Sequence, residues 1–216
     1  NAGSVFVSGR YAYTTGGSGA SGGTGNNFRI FDISNPVSPS VVGGVKLGIT
    51  AQNVFVSGKY AYVVKGNNGV NGDFIIYDVS NPASIATTSA TELGDTATDV
   101  VVSGRYAYVT IGDAVAREFR VYDVSNPSSP VQIGGVEFGV YANGIAVSGR
   151  HAYVGLNSIT GNEFKIFDLT GIETQSALVH SLEAGSAQVR ENLIVQGYGH
   201  FDSVTAGLGG IFSRGP

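Results

Sequence analysis

The sequence predicts an all-β chain: a β-propeller of four-stranded antiparallel blades, with four repeats visible, followed by a short irregular β extension. Three observations lead there. A segment of about 45 residues recurs four times, each copy holds four short β runs bounded by turn residues, and no helical period crosses the repeats. The boundaries fall at approximately 4–50, 51–96, 97–141 and 142–185, giving one propeller domain over 1–185. Residues 186–216 are left as a β-rich extension or the start of a fibre stem.

The first block of each unit reads Val5-Phe-Val-Ser-Gly-Arg-Tyr-Ala-Tyr13, Val54-Phe-Val-Ser-Gly-Lys-Tyr-Ala-Tyr62, Val100-Val-Val-Ser-Gly-Arg-Tyr-Ala-Tyr108 and Ile145-Ala-Val-Ser-Gly-Arg-His-Ala-Tyr153. Its Val-x-Val half predicts a first strand, and Ser-Gly turns the chain into a second, because glycine supplies the positive φ of a tight hairpin. Side chains alternate along a strand. Tyr60 and Tyr62 therefore share one face, and Ala61 on the other lets a neighbouring sheet come close. The second block, Phe28-Arg-Ile-Phe-Asp32 and its copies ending at Asp78, Asp123 and Asp168, predicts the third strand. These aspartates lie 46, 45 and 45 residues apart. Asn-Pro ends the connection in the first three units, since proline cannot continue a ladder. Residues 41–47 and 131–138 exemplify the fourth strand.

The Tyr-Ala-Tyr-Val stretch and the apolar strand ending in Asp-(Val/Ile)-Ser-Asn-Pro resemble LVIVD repeats, most closely at Tyr106–Val109 and Phe119–Pro127. The resemblance covers residues 4 to about 170 and implies a propeller in a cell-surface or secreted protein, mostly without assigned activity. The fourth unit departs from the pattern: Asp168-Leu-Thr-Gly171 lacks the Asn-Pro.

After Asp168 the pattern loosens. Within residues 171–185, the stretch Leu178–Gly185 aligns with a fourth strand, while Ile172, Val179 and Leu182 also fit heptad positions, over too few turns for a coiled coil. Residues 182–213 resemble the short β-repeats of trimeric fibre stalks, which implies a chain continuing past Pro216 into an elongated stem; a frayed extension is the competing reading. The apolar Leu193, Ile194, Val195, Phe201 and Phe212 favour packing against the propeller or other chains.

Composition narrows the function. Charged residues make up only 13%, and the net charge of −4 offers no basic surface for nucleic acid. No apolar run is long enough for a membrane-spanning helix, so no membrane insertion is expected. There is no cysteine, hence no disulfide framework or thiolate metal site. Methionine is absent too, which suggests a processed chain or a fragment.

No catalytic constellation stands out. His151 fills the slot held by Tyr11, Tyr60 and Tyr106, while His180 and His200 lie in the tail without metal-ligand spacing. Ser8, Ser57, Ser103 and Ser148 are repeated turn residues. A ring of Asp32, Asp78, Asp123 and Asp168 facing a common axis could bind calcium. An Asx-type turn at each strand exit explains the same residues without an ion. The glycine-rich run 16–25 lacks the Gly-Lys-Ser/Thr ending of a phosphate loop. What varies between units is the loop joining the second and third strands, and function sits on variable loops held by a rigid scaffold. Asn26, Asn27, Asn67, Asn68, Asp113 and Asn157 are the candidate recognition residues, with solvated turns as the alternative.

The expectation is a non-enzymatic extracellular or cell-surface module, a propeller head or filament subunit of a bacterial or viral surface assembly, self-associating as a trimer or filament and needing no cofactor. A soluble glycan- or ligand-binding propeller is the alternative.

Overall fold

The computed structural model describes residues 2–17, 25–67, 69, 72–112, 117–157 and 163–169. They form fifteen strands. Unit one holds β1 (Ala2–Ser8), β2 (Tyr11–Gly16), β3 (Phe28–Asp32) and β4 (Ser40–Val45). Unit two holds β5 (Ala51–Ser57), β6 (Tyr60–Lys65), β7 (Phe74–Asp78) and β8 (Ala86–Thr91). Unit three holds β9 (Ala97–Ser103), β10 (Tyr106–Ile111), β11 (Phe119–Asp123) and β12 (Val131–Val136). Unit four shows β13 (Ala142–Ser148), β14 (His151–Leu156) and β15 (Phe164–Asp168). The fourth strand expected for this unit, the heptad reading and the stalk resemblance all fall outside the described residues. By compactness the chain divides into Asn1–Ile172 and Glu173–Pro216, and every described residue lies in the first unit.

Each sheet is an antiparallel meander in sequence order. The Ser-Gly hairpins pair Ser8 with Tyr11, Ser57 with Tyr60, Ser103 with Tyr106 and Ser148 with His151. Their glycines, Gly9, Gly58, Gly104 and Gly149, all sit at φ of 57–59°, a region closed to most side chains. A register shift recurs at the start of every first strand, and another between Ile30 and Phe31, Ile76 and Tyr77, and Val121 and Tyr122. Bulges at matching places give the sheets matching twist.

The core lies between the sheets rather than within any one of them. Tyr13, Phe28 and Ile30 of the first sheet pack on Ala51, Val54, Ala61, Ile75 and Tyr77 of the second. Tyr62, Phe74 and Ile76 pack in turn on Ala97, Val100, Ala107 and Tyr122 of the third. Tyr108 and Phe119 pack on Ala142, Ile145, Ala152 and Val154 of the fourth. So the second tyrosine of each Tyr-Ala-Tyr faces the following sheet and the alanine faces the preceding one. An aromatic triplet spans each junction: Tyr13–Phe28–Tyr77, with centroids 6.5 and 5.6 Å apart, then Tyr62–Phe74–Tyr122 at 6.4 and 5.4 Å, then Tyr108–Phe119–Phe167 at 6.3 and 5.3 Å. Such pairs add about 0.5–1.5 kcal/mol each beyond the area they bury.

The first strands β1, β5, β9 and β13 lie beside one another in series. Polar bonds stitch them to their neighbours. Thr15 Oγ1 donates to the Gln52 carbonyl at 3.2 Å, Thr98 Oγ1 to that of Ala142 at 2.7 Å, and the Ile145 N–H donates to Asp99 at 2.9 Å. Sheets radiating from a row of inner strands and buried against their copies are propeller blades, so the fold is a β-propeller of four-stranded antiparallel blades.

The junctions differ at the outer strand. A Cβ on Gly43 of β4 would lie 1.8 Å from the Pro82 carbonyl oxygen of the next unit. The matching position in β8 is Ser89, whose buried hydroxyl finds no partner among the described residues. Gly43→Ala should therefore destabilise the fold by about 1–3 kcal/mol, the usual cost of overpacking. Ser89→Ala should be neutral or stabilising, because it removes an unsatisfied polar atom. Denaturant melts of the two variants check this, and equal losses would contradict it.

Candidate recognition rim

The blades present two rims. On one, the loops between the second and third strands emerge beside the connections into the next unit. On the other lie the Ser-Gly hairpins and the Asp-x-Ser-Asn-Pro turns.

On the variable rim, the residue before the first phenylalanine of the third strand acts as a latch in the first three units. The Leu47 N–H donates to Asn27 Oδ1 at 3.1 Å, and the Leu93 N–H to Asp73 Oδ2 at 3.2 Å. Glu118 accepts from the Phe138 N–H at 2.5 Å and the Gly139 N–H at 3.1 Å. Asn27, Asp73 and Glu118 are all buried. Each satisfies backbone donors where the chain leaves the fourth strand and water is excluded. Sequence comparison missed this role because three residue types share it; the signal is an oxygen-bearing side chain immediately before the repeated phenylalanine.

The second blade adds a charge. Lys65, almost fully buried, sits 3.5 Å from Asp73 and also donates to the Gly66 carbonyl. Burial pushes the Asp73 carboxyl up, the Leu93 N–H opposes that shift, neighbouring Glu92 reinforces it and Lys65 opposes it. Lys65 also lines a cleft of about 350 Å³ bordered by Lys46, Leu47, Ile75, Tyr77 and Thr87.

The candidate recognition residues separate on inspection. Asn157 is exposed. Asn67 is half-buried and its Oδ1 accepts the Gly69 N–H at 2.6 Å. Asn26 is half-buried, its carbonyl held by Arg29 Nε at 3.0 Å. Asn27 belongs to the latch. Asn68 and Asp113 lie outside the described residues, as do most of the glycine-rich loop, His180 and His200.

On the repeated rim, each aspartate ending a third strand meets the cation that follows the hairpin glycine. Arg10 pairs with Asp32 and Arg105 with Asp123; Lys59 reaches Asp78 at 3.0 Å and Arg150 reaches Asp168 at 2.6 Å. Asp32, Asp78 and Asp123 each also accept the backbone N–H of the serine two residues on, at 2.9 Å. Arg10, Lys59 and Arg105 lie over the rings of Tyr11, Tyr60 and Tyr106 at 5.1–5.4 Å. His151 takes the tyrosine slot in the fourth unit, half-buried, with its ring 6.3 Å from that of Tyr153. In the first three units the aspartate serves its own strand exit, away from the inner strands, and Asp168 pairs with Arg150 of its own hairpin. Among the described residues no three His, Cys, Asp or Glu side chains gather where they could hold a metal ion.

The LVIVD repeat model matches residues 1–46, 50–90, 94–137 and 139–170. The chain belongs to the LVIVD repeat family. No curated protein matches it in sequence. Among solved structures, this LVIVD-repeat chain is similar to the computationally designed Ika8 protein, with a TM-score of 0.57 and 9% identity over 78% of this chain and 46% of that one. It is likewise similar to the designed Ika4 protein, with a TM-score of 0.55 and 8% identity over 78% of this chain and 91% of that one. It thus spans less than half the length of Ika8. At such identity the likeness concerns the fold alone.

Two outcomes follow from these charges. Removing one partner of a buried ion pair leaves the other charge uncompensated, so Lys65→Met should cost about 3–5 kcal/mol. Adding Asp73→Asn should recover part of that, since Asn27 performs the same latch without charge; a double variant as unstable as the sum of its singles would show that the two side chains do not interact.

The repeated rim predicts acid sensitivity. Arg10 and Ser34 hold the Asp32 carboxyl well below the usual carboxylate range. Ser80 and Lys59 lower Asp78 to about 2, and Arg105 and Ser125 lower Asp123 to about 2. For a carboxyl lowered by folding, the stabilisation is present above its unfolded pKa of about 4 and lost on descent toward its folded value. Half-buried Asp99 and buried Asp73, both raised by desolvation, act in the opposite sense and gain from protonation. Melts should therefore show stability falling between pH about 4 and 2, and Asp78→Asn with Asp123→Asn should flatten that fall. An unchanged slope would assign it to other carboxyls.

Proposed function

We propose that this LVIVD-repeat chain is a non-enzymatic extracellular structural or adhesive module, a propeller head or filament subunit of a bacterial or viral surface assembly that works without a cofactor. The observation that carries the reading is the division of labour between the rims. The charged groups shared by the units are engaged in holding each unit's own turns, while length and content vary on the opposite rim. A fixed frame bearing variable polar loops is how binding surfaces are commonly built. Asn26, Asn67 and Asn157 supply amides for hydrogen bonds to sugar or peptide, and the low charge suits a neutral polymer better than a polyanion.

A second reading, a soluble glycan- or ligand-binding propeller, rests on the cleft between the first two blades, where Lys46 and Lys65 meet the apolar side chains of Leu47 and Ile75. The experiment compares retention of the purified chain on envelope polysaccharide with its affinity for soluble oligosaccharides. The adhesive reading expects retention that weakens about tenfold in an Asn26→Ala, Asn157→Ala variant, the worth of roughly one good hydrogen-bond contact. Binding of oligosaccharides that is lost in Lys46→Glu alone would favour the cleft. Turnover of the bound polymer would overturn both.

A further inference from the structure

The two ends of the blade row expose the halves of a junction that the chain makes three times internally. On the first sheet, Val5 and Val7 are 64% and 58% exposed, whereas Val54, Val100 and Ile145, the equivalents of Val5, are 2%, 1% and 8% exposed under the preceding blade. Val56 and Val102, equivalents of Val7, are 6% and 7% exposed, with Val147 half-buried. On the last sheet, Phe164 and Ile166 are 57% and 56% exposed, whereas Phe28, Phe74, Ile30 and Ile76 are fully buried under the following one.

The aromatic pattern is equally incomplete at both ends. Tyr153 and Phe164 stand 6.1 Å apart, close to the 6.3–6.5 Å between the first two rings of the internal triplets, and lack a third ring from a following sheet among the described residues. Phe31 holds the position of Tyr77, Tyr122 and Phe167, the third ring, on a sheet with no described sheet before it. Arg29 is poised as well. Its Nε binds the Asn26 carbonyl at 3.0 Å as Arg120 Nε binds that of Arg117 at 3.1 Å, and in Arg120 a terminal nitrogen then crosses to the Leu93 carbonyl of the preceding unit at 3.0 Å.

We propose that a second copy of this chain docks head to tail, the Val5–Val7–Phe31 face of one copy covering the Tyr153–Phe164–Ile166 face of the other. The occupant follows from continuity with the internal junctions: each end carries the side chains that its counterpart buries elsewhere in the same molecule. The contact is heterologous, joining two different surfaces, so it either closes into a ring of copies or continues as a filament. It extends the proposed role in an assembly but is separable from it, because the recognition rim is a different surface.

The test measures mass by light scattering for the whole 22.2 kDa chain, for Val7→Asp and for Phe164→Asp. Both substitutions lie on exposed positions, and a retained β spectrum verifies folding. The wild type should run as a multiple of 22.2 kDa and each variant as a monomer. An equimolar mixture of the two variants should give a heterodimer and nothing larger, since one intact junction remains between unlike partners. A monomeric wild type, a single variant that associates like the wild type, or a mixture that does not pair would each overturn the proposal. If association behaves as expected but retention on polysaccharide is absent, the adhesive role fails and the docking stands; if a monomeric wild type still binds polymer, the reverse holds.

Discussion

Everything in this fold depends on apolar contact between consecutive sheets. A four-stranded meander with both faces apolar has no inside of its own; it becomes stable only when covered on each side. The Tyr–Phe–Tyr/Phe triplets, with alanine opposite to admit the neighbour, meet that requirement at each of the three described junctions. Large aromatics suit the task because each buries a great deal of surface with few rotatable bonds to freeze. The polar bonds from Thr15, Thr98 and Asp99 across the inner strands add register to a contact whose strength is hydrophobic.

Given that stacking, the polar groups have the narrower task of ending strands without leaving donors unsatisfied. On one rim a cation, an aspartate, a serine N–H and a tyrosine ring recur as a surface cluster, so their electrostatic contribution is screened and mainly fixes geometry. On the other rim the same need is met in buried surroundings, by Asn27, by Asp73 with Lys65, and by Glu118. One structural problem therefore has three chemical answers in neighbouring blades.

Much of this was legible in the residues. The hairpin lay in Ser-Gly, the opposed faces of Tyr-Ala-Tyr followed from the two-residue period of a strand, and the four repeats followed from the spacing of the aspartates. The latch was hidden because repeat comparison aligns letters, whereas Asn27, Asp73 and Glu118 share only a side-chain oxygen. The pairing of Arg10 with Asp32 was available in principle, since a cation after the hairpin glycine accompanies the aspartate in every unit, but which side chains meet across a sheet depends on register. Asn26, Asn27, Asn67 and Asn157 look alike in sequence; only burial tells a structural amide from an exposed one.

The way the variable loops are pinned has an evolutionary consequence. Three of them, different in content, are closed by one and the same bond: the Lys65 N–H to the Asp73 carbonyl at 3.0 Å, Ile111 to Glu118 at 2.8 Å and Leu156 to Glu163 at 2.8 Å. The span each excursion must bridge is thus constant, and doubling its length costs only about 0.6 kcal/mol in closure entropy. Selection, or a protein engineer, can insert, delete or exchange segments there while the stacked aromatics remain unaware of the change.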